Sequence, residues 1–172
     1  MKKTVIMLIG PKGSGKTHIG SVLEKTTNIP FLRVEPIWLS LTAGQDGWYE
    51  VERAIQDHLV ENDMVFIESL GVSEGFERLR NKLQRKYAIK YVKIRALPET
   101  CLERVRNRNK ADHISVSDDN VEQYNRFAAQ VSLPWELEIL NDPPLSEEEI
   151  IALIGRIRQD DAADSPNNGV IP

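Results

Sequence analysis

Cysteine is nearly missing from this chain: Cys101 is the only one in 172 residues. That excludes an intramolecular disulfide framework and any CxxC metal site. Long apolar runs are also missing. No segment approaches the roughly 18 uninterrupted apolar residues of a membrane helix. The apolar stretch at residues 5–9 is too short for a signal-peptide core and runs into Gly10-Pro11-Lys12, not into a small-residue cleavage site. There is no excess of basic charge. Lys and Arg number 22 against 26 Asp and Glu, a net charge of −4, which disfavours non-specific nucleic-acid binding but leaves room for a local basic pocket. Aromatic residues are 6% of the chain, so any local concentration of them stands out.

What remains is expected to be one soluble, cytoplasmic domain. Apolar residues are 41% and charged residues 28%, and a domain near 150 residues buries about 70% of its unfolded surface, so no staple is needed. Apolar, β-branched runs at residues 4–9 and 64–67 read as strands buried on both faces. Shorter strands are expected at 31–34, ending before Pro36, at 89–94, nearer an edge, and at 135–140. Helical spacing of apolar residues falls at 16–25, 48–62, 76–87 and 120–131. Pro98 suits the first turn of a further helix, and Ser146-Glu147-Glu148-Glu149 is a capping box opening a last one to about 158. Strands alternating with helices predict a parallel sheet covered on both faces, an α/β three-layer sandwich. Residues 1–158 are read as the domain, and the polar segment 159–172 as a disordered tail.

One motif carries most of the chemistry. Gly10-Pro11-Lys12-Gly13-Ser14-Gly15-Lys16-Thr17 fits G-x-x-x-x-G-K-[ST] at every fixed position, between an apolar strand and an amphipathic helix. Glycines let the backbone curl so that successive N–H groups face phosphate oxygens, and the helix beginning at Lys16 adds its positive end beneath the same anion. Lys16 bridges the β- and γ-phosphates and the Thr17 hydroxyl meets Mg²⁺ in such a loop. The expected ligand is therefore a nucleoside triphosphate, ATP with Mg²⁺. His18 follows the motif and either lines the site or is an ordinary helix histidine.

Glu68 closes the strand at 64–67. It either serves the metal or its water shell, or accepts the proton of an acceptor hydroxyl. Arg104 and Arg108 are four apart and share a helix face. That face leads into a polar, lid-length segment at 109–119, so the pair is placed to fold over a triphosphate. Lys110 and His113 lie in that segment. Around the second strand and the next helix lie Arg33, Glu35, Trp38 and Trp48, with Gly71 after the third strand. The two tryptophans either pack the core or face an acceptor; aromatic faces with carboxylates suit a base, sugar or amine better than a polyanion.

Taken together, GPKGSGKT, FIES, CLERVRNR and SEEEII resemble the small P-loop kinases: shikimate kinase, gluconate kinase, the nucleoside monophosphate kinases and the zeta-toxin and polynucleotide-kinase-like proteins. The resemblance implies a five-stranded parallel sheet of order 2-3-1-4-5 and a closing lid near 109–119. It also implies phosphate and Mg²⁺ roles for Lys16 and Thr17, the acidic strand-end role for Glu68, lid-arginine roles for Arg104 and Arg108, and a place near the adenine for Asn141. The pattern departs from shikimate kinases where it matters for substrate. Arg33-Val34-Glu35 stands for their Asp-x-Asp, Ser69-Leu70-Gly71 for their triple glycine, and the arginine that clamps the shikimate carboxylate has no counterpart. The expected function is transfer of the γ-phosphate to a hydroxyl of a small metabolite or nucleoside-type acceptor. Alternatives are a P-loop ATPase acting through a protein partner and a nucleic-acid end kinase. Neither a membrane nor a nucleic acid is an expected partner.

Overall fold

A computed structural model of the chain describes residues 2–108 and 113–163. Strand β1 (Thr4–Ile9) is buried at all six positions. It is followed by α1 (Lys16–Thr27), β2 (Phe31–Leu32), α2 (Val34–Leu39), α3 (Gly47–Glu61) and β3 (Met64–Ser69). Then come α4 (Glu74–Lys86), β4 (Ala88–Arg95), α5 (Pro98–Asn107), α6 (Asp118–Gln130), β5 (Trp135–Leu140) and α7 (Glu147–Ala163). All pairings are parallel and the order is β2-β3-β1-β4-β5, as the resemblance implies.

Alternation along β1 makes the three layers. Val5, Met7 and Ile9 point into a core closed by α2, α3 and α4. Ile6 and Leu8 point the other way, into a core closed by α1 and α7. A strand buried on both faces needs no polar positions, which is why TVIMLI is continuous and not alternating.

Three expectations about elements change. The segment after β2 is not extended to residue 34: it turns into α2, with Pro36 in the first turn. The first N–H groups of a helix have no intrahelical partner, so a proline there removes nothing. Strand β4 is nearer an edge than the central β1 but not nearer than β3: β3 and β4 each have one strand between themselves and their edge. Its lysines find partners on the protein: the Lys93 ammonium lies over the Trp135 ring, 5.2 Å from its centroid, and Lys90 Nζ donates to the Ile157 carbonyl at 2.9 Å. The last helix runs through Ala163, beyond the boundary expected at 158; no breaker precedes Ser165-Pro166. The rest of the expected tail, 164–172, and residues 109–112 of the expected lid lie outside the described residues.

Candidate active site

The β1–β3 register aligns Leu8 with Glu68 and Ile9 with Ser69, so the end of β3 stands beside the start of the glycine-rich loop. The helices following these neighbouring strands, α1 and α4, cover opposite faces of the sheet. Open α/β sheets bind ligands at such a switch point, beyond the carboxyl ends of the strands. A cavity of about 320 Å³ opens there.

One wall is the loop itself, with Lys12, Gly13, Gly15, Lys16 and Thr17 lining it. Gly13 has φ +82°, and a β-carbon there would stand 2.2 Å from the Cys101 carbonyl oxygen, so α5 closes against the loop only because this position is glycine. Gly10 and Pro11 contribute their carbonyls to Lys16, whose Nζ donates to them at 2.8 and 2.6 Å. Ser14 is fully buried and its hydroxyl donates to the Pro11 carbonyl at 2.8 Å. Burial pushes the Lys16 ammonium down to about 8, against the opposing pull of the Glu68 carboxylate.

The Thr17 hydroxyl donates to Glu68 Oε2 at 2.6 Å, and Glu68 is buried at the cavity edge. Two hard oxygen donors thus meet at the foot of the loop. No group of three or more His, Cys, Asp or Glu suited to a metal occurs among the described residues. This pair fits Mg²⁺, which keeps several waters and binds through one or two protein oxygens plus phosphates.

Helix α5 supplies the ceiling. Arg104 and Arg108 both line the cavity, while Arg106, two residues from each, turns out to Asp118 at 2.9 Å. Arg104 donates to the Gly13 carbonyl at 3.2 Å and to the Asn141 carbonyl at 3.0 Å, and Arg108 to the Ile114 carbonyl at 3.5 Å. Both also border a neighbouring hollow with Thr100, Asn107, Pro143 and Pro144.

The far wall is built by α2, α3 and the chain after β3. Val34, Glu35, Trp38, Trp48, Leu70 and Val72 line it, together with His113 and Ile114. Lys12 Nζ donates to Glu35 Oε1 at 2.8 Å, and His113 Nδ1 lies 2.5 Å from Glu35 Oε2. Burial alone raises the Glu35 carboxyl, but the hydrogen bonds from Lys12 and His113 outweigh it and hold the group below the usual carboxylate range.

Some residues singled out in the sequence lie elsewhere. His18 is exposed on α1 and does not line the cavity. Arg33 caps α2 and is half-buried, with Nε unpaired, and Gly71 packs against Ile9 and Val131; neither lines it. Asn141 is buried, donating from Nδ2 to the Ser14 carbonyl at 2.9 Å and accepting from Leu145 N–H at 3.0 Å. It braces the loop from behind, and its neighbours Asp142, Pro143 and Pro144 face the adjoining hollow.

Sequence reasoning passed over Asn125 of α6. Its Oδ1 accepts from the Lys12 N–H at 2.7 Å and its Nδ2 donates to the Lys12 carbonyl at 3.0 Å. One carboxamide thus satisfies both backbone groups of a loop residue 113 positions away. No local pattern marks such a contact.

No protein-family model matches the chain, and no curated protein matches its sequence. Solved structures do match. The shikimate kinase of Bacteroides thetaiotaomicron is 16% identical, with 94% of this chain and 99% of that one covered and a TM-score of 0.56. A gluconokinase of Sinorhizobium meliloti 1021 is also 16% identical, covering 94% and 95%, with a TM-score of 0.57. A chain of an RNA repair complex is 15% identical over 75% of this chain and 46% of that one, with a TM-score of 0.61. The fold is that of the small P-loop kinases.

Proposed function

We propose that the chain is an ATP-dependent kinase that moves the γ-phosphate of Mg²⁺-ATP to a hydroxyl of a small acceptor. The carrying observation is one continuous cavity with a phosphate loop at one end and an aromatic wall at the other, roofed by two arginines. A nucleotide switch needs the first half only; a transferase needs both, so that donor and acceptor are held in line.

In this reading the loop N–H groups and Lys16 take the β- and γ-phosphates, exchanging the Gly10 and Pro11 carbonyls for phosphate oxygens. Thr17 and Glu68 hold Mg²⁺ or its waters; the ion, when bound, neutralises charge between the β- and γ-phosphates. The adenine takes the hollow beside Pro143 and Pro144. Glu35 accepts the hydrogen bond of the acceptor hydroxyl, whose oxygen bonds to the γ-phosphorus as the bond to the ADP oxygen breaks; the proton passes to the Glu35 carboxylate. A loose transition state asks little of a base, so a carboxylate held below its usual range suffices. Arg104 and Arg108 face the equatorial oxygens, and His113 and Ile114 beside them help exclude water.

Acceptor-dependent ADP release tests this, with Lys16→Ala as the blank. Release that rises with one acceptor class and falls on the order of 100-fold or more in the variant is expected. Release indifferent to every acceptor contradicts the reading. A second reading, a nucleic-acid end kinase, is favoured by the likeness to the RNA repair chain, and a 5′-hydroxyl oligonucleotide in the same assay decides it.

A further inference from the structure

The far wall of the cavity carries a broad apolar surface. Trp38 and Trp48 form its centre, extended by Val34, Leu70, Val72 and Ile114. Both indoles are half-buried: part of each packs on the core cluster beneath, and part lines the cavity. A tryptophan serving the core alone would be covered, because indole is among the largest apolar surfaces a side chain can bury. The two rings are also held in place. They meet edge to face, centroids 5.6 Å apart at 82°, and Trp48 meets Phe76 in the same way at 6.2 Å. Glycines leave room for them and no more: a β-carbon at Gly47 would stand 2.4 Å from the Trp38 ring, and one at Gly75 would stand 2.2 Å from Trp48. Rings packed this closely offer a set surface to whatever fills the cavity.

This surface stands at a definite remove from the chemistry. Glu35 and Trp38 are three apart on α2, so they share a helix face with β-carbons about 5–6 Å apart, and both line the cavity. In the kinase reading Glu35 receives the acceptor hydroxyl. The part of the acceptor that meets Trp38 and Trp48 therefore lies about one helical turn from the reacting oxygen, the reach of a sugar or a short linker. A flat unsaturated ring gains there by packing on indole. A hydroxyl turned to the same wall gives up water for side chains that offer little to hydrogen-bond.

We infer that the acceptor is an alcohol carrying a planar unsaturated ring, a nucleobase or an aryl group, seated against Trp38 and Trp48 while its hydroxyl meets Glu35. The two tryptophans are then the specificity-determining residues of the transfer. This rests on the kinase reading and names its substrate class. The acceptor's charge does not enter, and the test holds it constant.

Alcohols matched in charge and differing in the ring are titrated calorimetrically with Mg²⁺ and a non-hydrolysable ATP analogue present. Thymidine against methyl 2-deoxyriboside reads a nucleobase; phenyl β-glucoside against methyl β-glucoside reads an aryl group. In at least one pair the ring-bearing member is expected to bind at least about tenfold more tightly, and the pair that shows it identifies the source of the ring. Trp38→Leu and Trp48→Leu keep apolar bulk and remove an indole, so each is expected to lose most of that preference, whereas Trp48→Phe, which keeps a ring in the seat, retains most of it. The wild-type pairs decide even where a variant fails to fold. Equal affinities within both pairs, no binding by either ring-bearing member, or a preference unchanged in both folded leucine variants overturns the inference. Transfer measured on the same alcohols separates the two readings. A ringless member phosphorylated as efficiently as its match overturns the substrate class and leaves the kinase standing; ring-bearing members that bind while no alcohol is phosphorylated overturn both.

Discussion

Lys16 serves two opposed demands. It must be charged to hold a triphosphate, yet it is buried deeply enough that its ammonium is pushed down to about 8. The folded value lies below the unfolded one, so the unfolded chain holds more protons between about 8 and 10.5, and this lysine's contribution to stability rises with pH through that window. Nucleotide affinity moves the other way. Phosphate oxygens restore the charge, so ATP binding above pH 8 is expected to take up a proton and to weaken by about tenfold per pH unit. Calorimetry at pH 6.5 and 9 in buffers of different ionisation enthalpy reads this directly, and pH-independent binding contradicts it. At Asn125 the prediction concerns position, not charge. Asn125→Ala leaves the Lys12 N–H and C=O without their partners, which costs about 1–3 kcal/mol; the KM for ATP is expected to rise several-fold with kcat nearly unchanged. An unaltered KM makes the contact incidental. The two residues differ in legibility for a physical reason. Lys16 sits in an eight-residue motif whose spacing is its chemistry, whereas Asn125 is a polar residue on an amphipathic helix whose partner is 113 positions away.

At the scale of elements, local rules decided most boundaries. The capping box at the start of α7 forms as the sequence implies: Ser146 N–H donates to Glu149 Oε2 at 2.8 Å, and Glu149 N–H to Ser146 Oγ at 3.3 Å. Helix α7 buries Ile150, Ile154 and Ile157 against one face of the sheet, so fraying its first turn loosens that layer. Ser146→Ala is expected to cost about 1 kcal/mol, read as a lower denaturant midpoint with unchanged slope; no shift shows the cap to be dispensable. Two elements depart from the expectation, each for its own reason. Helix α2 is six residues long, too short to display a period, and Pro36, which the sequence suggests lies beyond a strand, sits harmlessly in its first turn. Strand β4 carries lysines whose Nζ atoms meet the Trp135 ring and the Ile157 carbonyl, so its alternation does not set it nearer an edge than β3. The exposed edge is β5, where Glu136 and Glu138 point out to solvent.

Across the whole molecule, topology concentrates charge that composition conceals. Among the described residues, a chain of net charge −4 places four cations, Lys12, Lys16, Arg104 and Arg108, around one cavity with two carboxylates, Glu35 and Glu68, opposing them. The sheet order does this by bringing the ends of β1 and β3 together and routing their helices to opposite faces. The donor end was legible because a phosphate loop is local. The acceptor end was legible only as a list of residue types around 33–52; that Glu35 joins Lys12 to His113, and that Trp38 and Trp48 form one wall, are facts of tertiary packing. The central claim is transfer to a hydroxyl, and product stoichiometry tests it most directly. ATP, Mg²⁺ and an alcohol that binds are incubated with the protein, and ADP, inorganic phosphate and phosphorylated acceptor are quantified together. The account predicts one phosphorylated acceptor for each ADP, with both lost in Lys16→Ala; ADP matched throughout by inorganic phosphate, whatever alcohol is present, contradicts it.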